Sequence, residues 1–339
     1  MIWLTWRQFR APLLSVAAVL LALVAALAFT WARVSDLAGS TGFTGCRAAA
    51  CETAAQSFLA ALSSETAGWL YYVAIGVVLA LPVLLGIFWG APLAARELET
   101  GTYRLIFTQS VSRHRWLLVK LLIGGGAAAL CTGVVSLVLT GWAAVIDDAE
   151  GNRINPWIFM ARGIVPIAFA ALAFVVGVTA GLLLRRTVAA MAVTLLVVAA
   201  LQVAVPLVLP RLLAQPVTTV AALDLNAPFG LSVDLSTKEA HVDIDADMPD
   251  AWILSRTVVT SSGAEFRGRA DPACLPSEDM GGFSEACRTW LAAQNLRQKV
   301  TYVPGSRFWA LQWREFGVLI AVTLGLSWFA LWWIRRRLI

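Results

Sequence analysis

The sequence predicts an all-α polytopic membrane protein. It reads as six transmembrane helices with an N-terminal interfacial helix and a small α+β extracellular domain between helices 5 and 6. Three observations carry this. The 339 residues are 59% hydrophobic and only 14% charged, with a mean hydropathy of +0.75, which leaves a soluble fold nowhere to hide its apolar surface. The apolar residues are grouped into blocks long enough to cross roughly 30 Å of hydrocarbon as helices. In lipid every backbone amide must be bonded within its own segment, so these blocks are helices and not open strands.

The elements follow in order. In residues 1–10, "MIWLTWRQFR", Ile2, Trp3, Trp6 and Phe9 stand against Arg7, Gln8 and Arg10. Tryptophan beside arginine suits the headgroup layer, so this segment is expected to lie flat as an amphipathic helix. A basic start before apolar residues also has the form of a cleavable signal, but the apolar run is long for a signal core. Residues 11–209 hold crossings expected at about 11–32, 70–91, 117–146, 161–184 and 188–209. Residues 311–339 hold the sixth, at about 315–334, and a basic tail.

Two segments face the other way. Residues 33–69 contain "GCRAAACE", and residues 210–310 form the extracellular domain. There "LSVDLS", "AHVDIDAD" and "AWILSRTVVTSSG" alternate like strands, and "SEACRTWLAAQNLRQ" reads as a helix. Cys46, Cys51, Cys274 and Cys287 lie in these segments, where oxidation is expected. Four cysteines permit three pairings; the local one, Cys46–Cys51 with Cys274–Cys287, is the expected one. Cys46 and Cys51 meet only across a turn, because five helical steps would point them apart. Cys131, within the third crossing, reads as a small core residue.

Charge sets the orientation. Arg7, Arg10, Arg96, Arg104, Arg113, Arg115, Lys120, Arg185, Arg186 and Arg335 to Arg337 crowd the short segments on one side. Of the 21 acidic residues only Glu97 and Glu99 join them. Arginine-rich short loops stay in the cytoplasm, so both termini are expected there, in a plasma-membrane protein. The net charge of +5 follows from this bias and implies no nucleic-acid partner.

Several function classes are excluded. The crossings carry no ionisable residue near mid-membrane; Arg162, Arg314 and Glu315 are expected at outer ends, where snorkelling costs little. A proton- or sodium-driven carrier would usually need such a residue. "GGG" at 124–126 lacks the Lys-Ser/Thr of a phosphate loop. The two histidines, His114 and His241, fall on opposite faces and cannot share a metal or a triad. The acidic run "DIDADMPD" lacks the Gly and distal Glu of a calcium loop. No catalytic residue, metal or cofactor is expected in this chain.

The loop at 93–116 remains. Residues 93–99 can prolong the second helix past the membrane, and Gly101 between Thr100 and Thr102 breaks it. Tyr103, Ile106 and Phe107 form a small apolar patch, and Ser112 is placed to cap the next helix. Read from its residues alone, this is either a topology-setting basic loop or an element that passes a push from outside the bilayer to two crossings. Gly86/Gly90 and Gly177/Gly181 are small-xxx-small pairs suited to contact between chains or within one.

Glu99, Thr100, Gly101 and Thr102, then Leu105, Gln109-Ser110, Ser112-Arg113, Trp116 and Lys120, resemble the signature of type-2 ABC exporter permeases. "MIWLTWRQFR", "RRT" at 185–187 and "SRFWALQWREF" with "WWIRRRL" resemble the permease subunits of actinobacteria in particular. The likeness runs nearly the whole chain; the large segment 210–310 departs from it. It implies a loop that seats on a separate cytosolic ATPase, which would hold the ATP and Mg. The coupling surface it implies is Arg96, Glu97, Glu99, Gly101, Thr102, Tyr103, Leu105, Ile106, Phe107, Arg113 and Arg115, with both glutamates facing basic residues of the ATPase. Two permease chains, alike or related, would enclose a path in the lipid for a hydrophobic or amphipathic substrate. The alternative is a membrane-anchored sensor or assembly protein whose extracellular domain binds a ligand or partner.

Overall fold

The computed structural model describes residues 2–47, 50–101, 112–151, 153–223, 229–233, 239–244, 248, 250–269, 271–274 and 285–337. They form two compact units, Met1–Leu213 with Arg307–Ile339, and Ala214–Ser306.

The first unit opens with α1 (Ile2–Ser40), whose backbone is helical from residue 2 onward. No break in the helical backbone sets residues 2–10 apart from the crossing that follows. The expected interfacial helix is therefore not a separate element of the backbone. A 3-10 turn, Phe43–Gly45, leads to α2 (Ala50–Ser63). Cys46, just past this turn, is disulfide-bonded to Cys51 in the first turn of α2, with Cα atoms 5.0 Å apart.

The second crossing consists of α3 (Thr66–Leu85), a π-helical turn (Gly86–Gly90) and α4 (Ala91–Glu99). Next comes α5 (Arg113–Trp142). Ser112 caps it, its Oγ accepting from Arg115 N at 3.3 Å. The expected third crossing to 146 breaks at Ala143, and α6 (Ala144–Glu150) stops at Gly151 with φ 60°. The short α7 (Pro156–Met160) precedes α8 (Val165–Leu184) and α9 (Thr187–Leu213). The second unit supplies α10 (Glu285–Ala293), and α11 (Phe308–Arg337) completes the first. Among the described residues, six helices are long and apolar enough to cross a membrane.

α8 is the hub. Of its most apolar stretch 78% is buried, against 11% for α1 and 22% for both α9 and α11. It packs on α3, α4, α5, α9 and α11. In lipid the contact between helices depends on close packing, because tails and side chains are equally apolar. Small residues supply it. A Cβ on Gly86 would lie 2.8 Å from Ala173 O, and one on Gly181 2.7 Å from Ala91 O. The two glycine stripes thus face each other within one chain. The π turn falls at this crossing point, where such turns commonly adjust helix register.

The second unit contains two three-stranded antiparallel sheets among the described residues. β1 (Val217–Ala222), β6 (Arg297–Pro304) and β4 (Ala251–Val259) run in the order β1-β6-β4. β2 (Phe229–Val233), β3 (Glu239–Ile244) and β5 (Gly268–Arg269) run in the order β2-β3-β5. Val242, Val258, Phe266, Leu291 and Leu296 form the core together with the bonded Cys274 and Cys287.

Candidate coupling site and buried ion pairs

Only part of the expected coupling surface lies within the described residues. Thr102, Tyr103, Leu105, Ile106 and Phe107 fall outside them. The flanks on either side are described and tied together.

The N-terminal flank is the end of α4. Alanines 91, 94 and 95 are buried against α8 and α9, which turns Arg96 outward, where it is exposed. Thr100 Oγ1 donates to Arg96 O at 2.9 Å, closing the last turn. Gly101 then takes φ 73°, a left-handed conformation that side chains with a Cβ adopt only under strain.

Glu97 turns inward. Lys120 Nζ donates to Glu97 Oε1 at 2.5 Å and to Leu93 O at 3.2 Å. Trp116 Nε1 donates to Glu97 Oε2 at 3.1 Å. The Lys120 ammonium also stands 4.4 Å from the centre of the Trp116 ring, close enough for a cation–π contact. The ion pair is almost dry, with side chains 4% and 13% exposed. Glu97 therefore does not face out to an ATPase: it bolts α4 to the start of α5. Trp116 and Lys120 sit one helical turn apart at i and i+4, which brings both donors to the same carboxylate.

Glu99 makes a different link. Its Oε2 accepts from Thr187 N at 2.9 Å and Thr187 Oγ1 at 2.6 Å, capping the first turn of α9 from another helix. The contact is exposed, so Glu99 stays reachable from outside the chain. Arg115, Arg185 and Arg186 are also exposed, and Arg113 is half-buried. The loop's two flanks and the "RRT" segment thus meet at one end of the bundle.

At the opposite end lies a network the sequence did not reveal. Arg162 Nε and Nη2 donate to Asp147 Oδ2 and Oδ1 at 2.8 and 3.0 Å, a bidentate pair. The two side chains are 0% and 1% exposed. Tyr71 OH donates to Asp147 Oδ1 at 3.0 Å. Arg162 lies at this end of the bundle but does not snorkel as expected; burying it required the carboxylate opposite. Glu315 is likewise buried and does not snorkel, and among the described residues neither of its oxygens has a hydrogen-bond partner. One turn away, Gln312 Oε1 accepts from the backbone N of Ile164 and Val165, each at 3.0 Å, and so closes the start of α8.

The first unit is thus a polytopic helical bundle in which the described flanks of the 93–116 loop are tied to neighbouring crossings. The family model described as ABC-2 membrane transporter related matches residues 17–210, more than half of the chain. The chain belongs to that family, and it is a multi-pass membrane protein. The match covers the first five crossings and ends before the second unit begins. No curated protein and no solved structure matches the chain.

Proposed function

We propose that this chain is the membrane-spanning permease subunit of an ATP-driven exporter. A separate cytosolic ATPase, holding ATP and Mg, seats on the loop at 93–116. The chain pairs with a second permease subunit, identical or related, and both of its termini are cytoplasmic. The path between the subunits takes a hydrophobic or amphipathic substrate, and the second unit stands outside the cell. Family membership supports the class, since permeases of this family work with an ATPase subunit in general.

The observation that carries the coupling part of the reading is the clamp of Glu97, Lys120 and Trp116. A push on a loop moves two crossings together only if the flanks cannot give. The buried pair stiffens one side, and the Glu99–Thr187 link extends the same body to α9. The test replaces residues 99–109 by a Gly/Ser linker. The permease reading expects the co-purifying ATPase to be lost or its activity to stop responding to the membrane subunit. A sensor or assembly protein would keep its activity through the same replacement.

A further inference from the structure

At the end of the first unit opposite the clamp, α2, α3 and α6 enclose a cavity of 340 Å³. The run from Trp69 to Glu97 is nearly all helical, which places the two sites about 40 Å apart at ~1.5 Å per residue. The close approach of α2 to α3 rests on Gly68, where a Cβ would lie 2.5 Å from Leu62 O. Three aromatic rings line the cavity, Trp69, Tyr71 and Tyr72, with Leu62 and Ile146 as apolar walls and Glu150 as an acid. Tyr71 and Tyr72 stand edge to face, their ring centres 5.2 Å apart at 81°.

The chemistry of this lining is lopsided. Among the described residues that line it, Glu150 is the one charged group. Arg162 is fully buried and held by Asp147, and its guanidinium sits 5.2 Å from the Tyr71 ring centre. Tyr71 OH is hydrogen-bonded to Asp147 at 3.0 Å and to Glu150 at 3.4 Å, so its hydroxyl is held on the acids behind the cavity. Trp69 and Tyr72 are 72% and 67% exposed, so their ring faces are open to an incoming group. Aromatic faces beside one carboxylate attract an organic cation, whereas a hard metal ion would need several oxygens. The volume falls in the range of small-molecule sites, roughly 300–1,000 Å³.

We propose that this cavity binds the ammonium head of an amphiphile, with the exposed rings of Trp69 and Tyr72 beside the cation, Glu150 as counter-charge, and Leu62 and Ile146 along the start of the chain. The site does not depend on the exporter reading: binding can succeed where coupling to an ATPase fails. Two sources offer the same chemistry, a free cationic amphiphile and the headgroup of an ethanolamine lipid.

The experiment uses the full chain in maltoside micelles and decyltrimethylammonium below its micellar concentration, with decyl glucoside as the neutral control. The expected result is a saturable rise in melting temperature with the ammonium probe and none with the glucoside. Glu150→Gln weakens the half-saturation point about tenfold, equivalent to ~1.4 kcal/mol, and Tyr72→Leu weakens it as well. Should Glu150→Gln fail to fold, the exposed Trp69→Leu takes its place. Discs of phosphatidylglycerol with and without phosphatidylethanolamine then separate the sources. Competition by the ethanolamine lipid identifies the headgroup as the occupant, and an unchanged probe affinity identifies the free amphiphile. A response that does not saturate, or equal binding by wild type and variants, overturns the proposal.

Discussion

Lys120→Met is the sharpest test of the clamp. The substitution keeps the length of the side chain and removes the ammonium that faces Glu97. Removing one partner of a buried pair costs about 3–5 kcal/mol, because the other charge stays behind without compensation. Here Glu97 is 13% exposed and keeps its bond from Trp116, so the low end, about 3 kcal/mol, applies. Loss of the bond to Leu93 O adds about 1 kcal/mol. The companion variant Glu97→Gln/Lys120→Met keeps an acceptor for the indole and buries no charge, so it should regain at least half of the loss. The assay is unfolding of the purified chain in maltoside micelles across the full double-mutant cycle. A coupling of about 2 kcal/mol between the two positions is expected. If the single effects add to within about 0.5 kcal/mol, the two residues do not act as a unit and the clamp is not what stiffens the loop.

Three further outcomes follow from the packing. Gly181→Leu should destabilise by about 1–3 kcal/mol, since even its Cβ meets Ala91 O at 2.7 Å; Gly76→Ala, with nothing within 4 Å, is the neutral control in the same melt. Glu315→Met removes two buried oxygens without partners and should raise stability by about 1–3 kcal/mol; a lower melting temperature would mean that the carboxylate has a partner in the assembled protein. Cys287→Ser opens a loop closed over a sequence separation of 13, worth about 3 kcal/mol to the second unit, and should show as faster proteolysis within 214–306 while the first unit stays protected.

The crossings were legible because twenty-odd apolar residues between charged loops have few other uses. Ser112 was legible as a cap, for a cap is a local matter of one hydroxyl and the amides that follow. Pairings between distant residues were not. Asp147 looked like one of many outer acids and Arg162 like a helix-end arginine; nothing local shows that a 15-residue detour brings them within 2.8 Å. The missed strands have a different cause. "RQKVTYVP" alternates, with Val300 buried between Lys299 and Thr301, but its charges and the helix before it masked the period. Only its central place between β1 and β4 makes it a strand. Glu97 and Glu99 are neighbours in type and number, yet one is sealed in an ion pair and the other bonds another helix's amides. Their helical phase separates them: two steps along α4 turn a side chain by about 200°.

That difference has a mechanical consequence. A coupling loop must both touch a moving partner and transmit force, and those demands conflict in one side chain. A group exposed enough to meet the partner is screened and worth little, about 0–1 kcal/mol for a surface pair. A group buried enough to be stiff cannot reach the partner. In the proposed permease the demands are divided along a single turn: Glu97 is buried with Lys120 and carries stiffness, while Arg96 and Glu99 stand at the surface. Partner specificity and mechanical rigidity then become separable by mutation. Changes at Arg96 should weaken ATPase association without lowering the melting temperature, and changes at Lys120 should lower the melting temperature whether or not the ATPase is present.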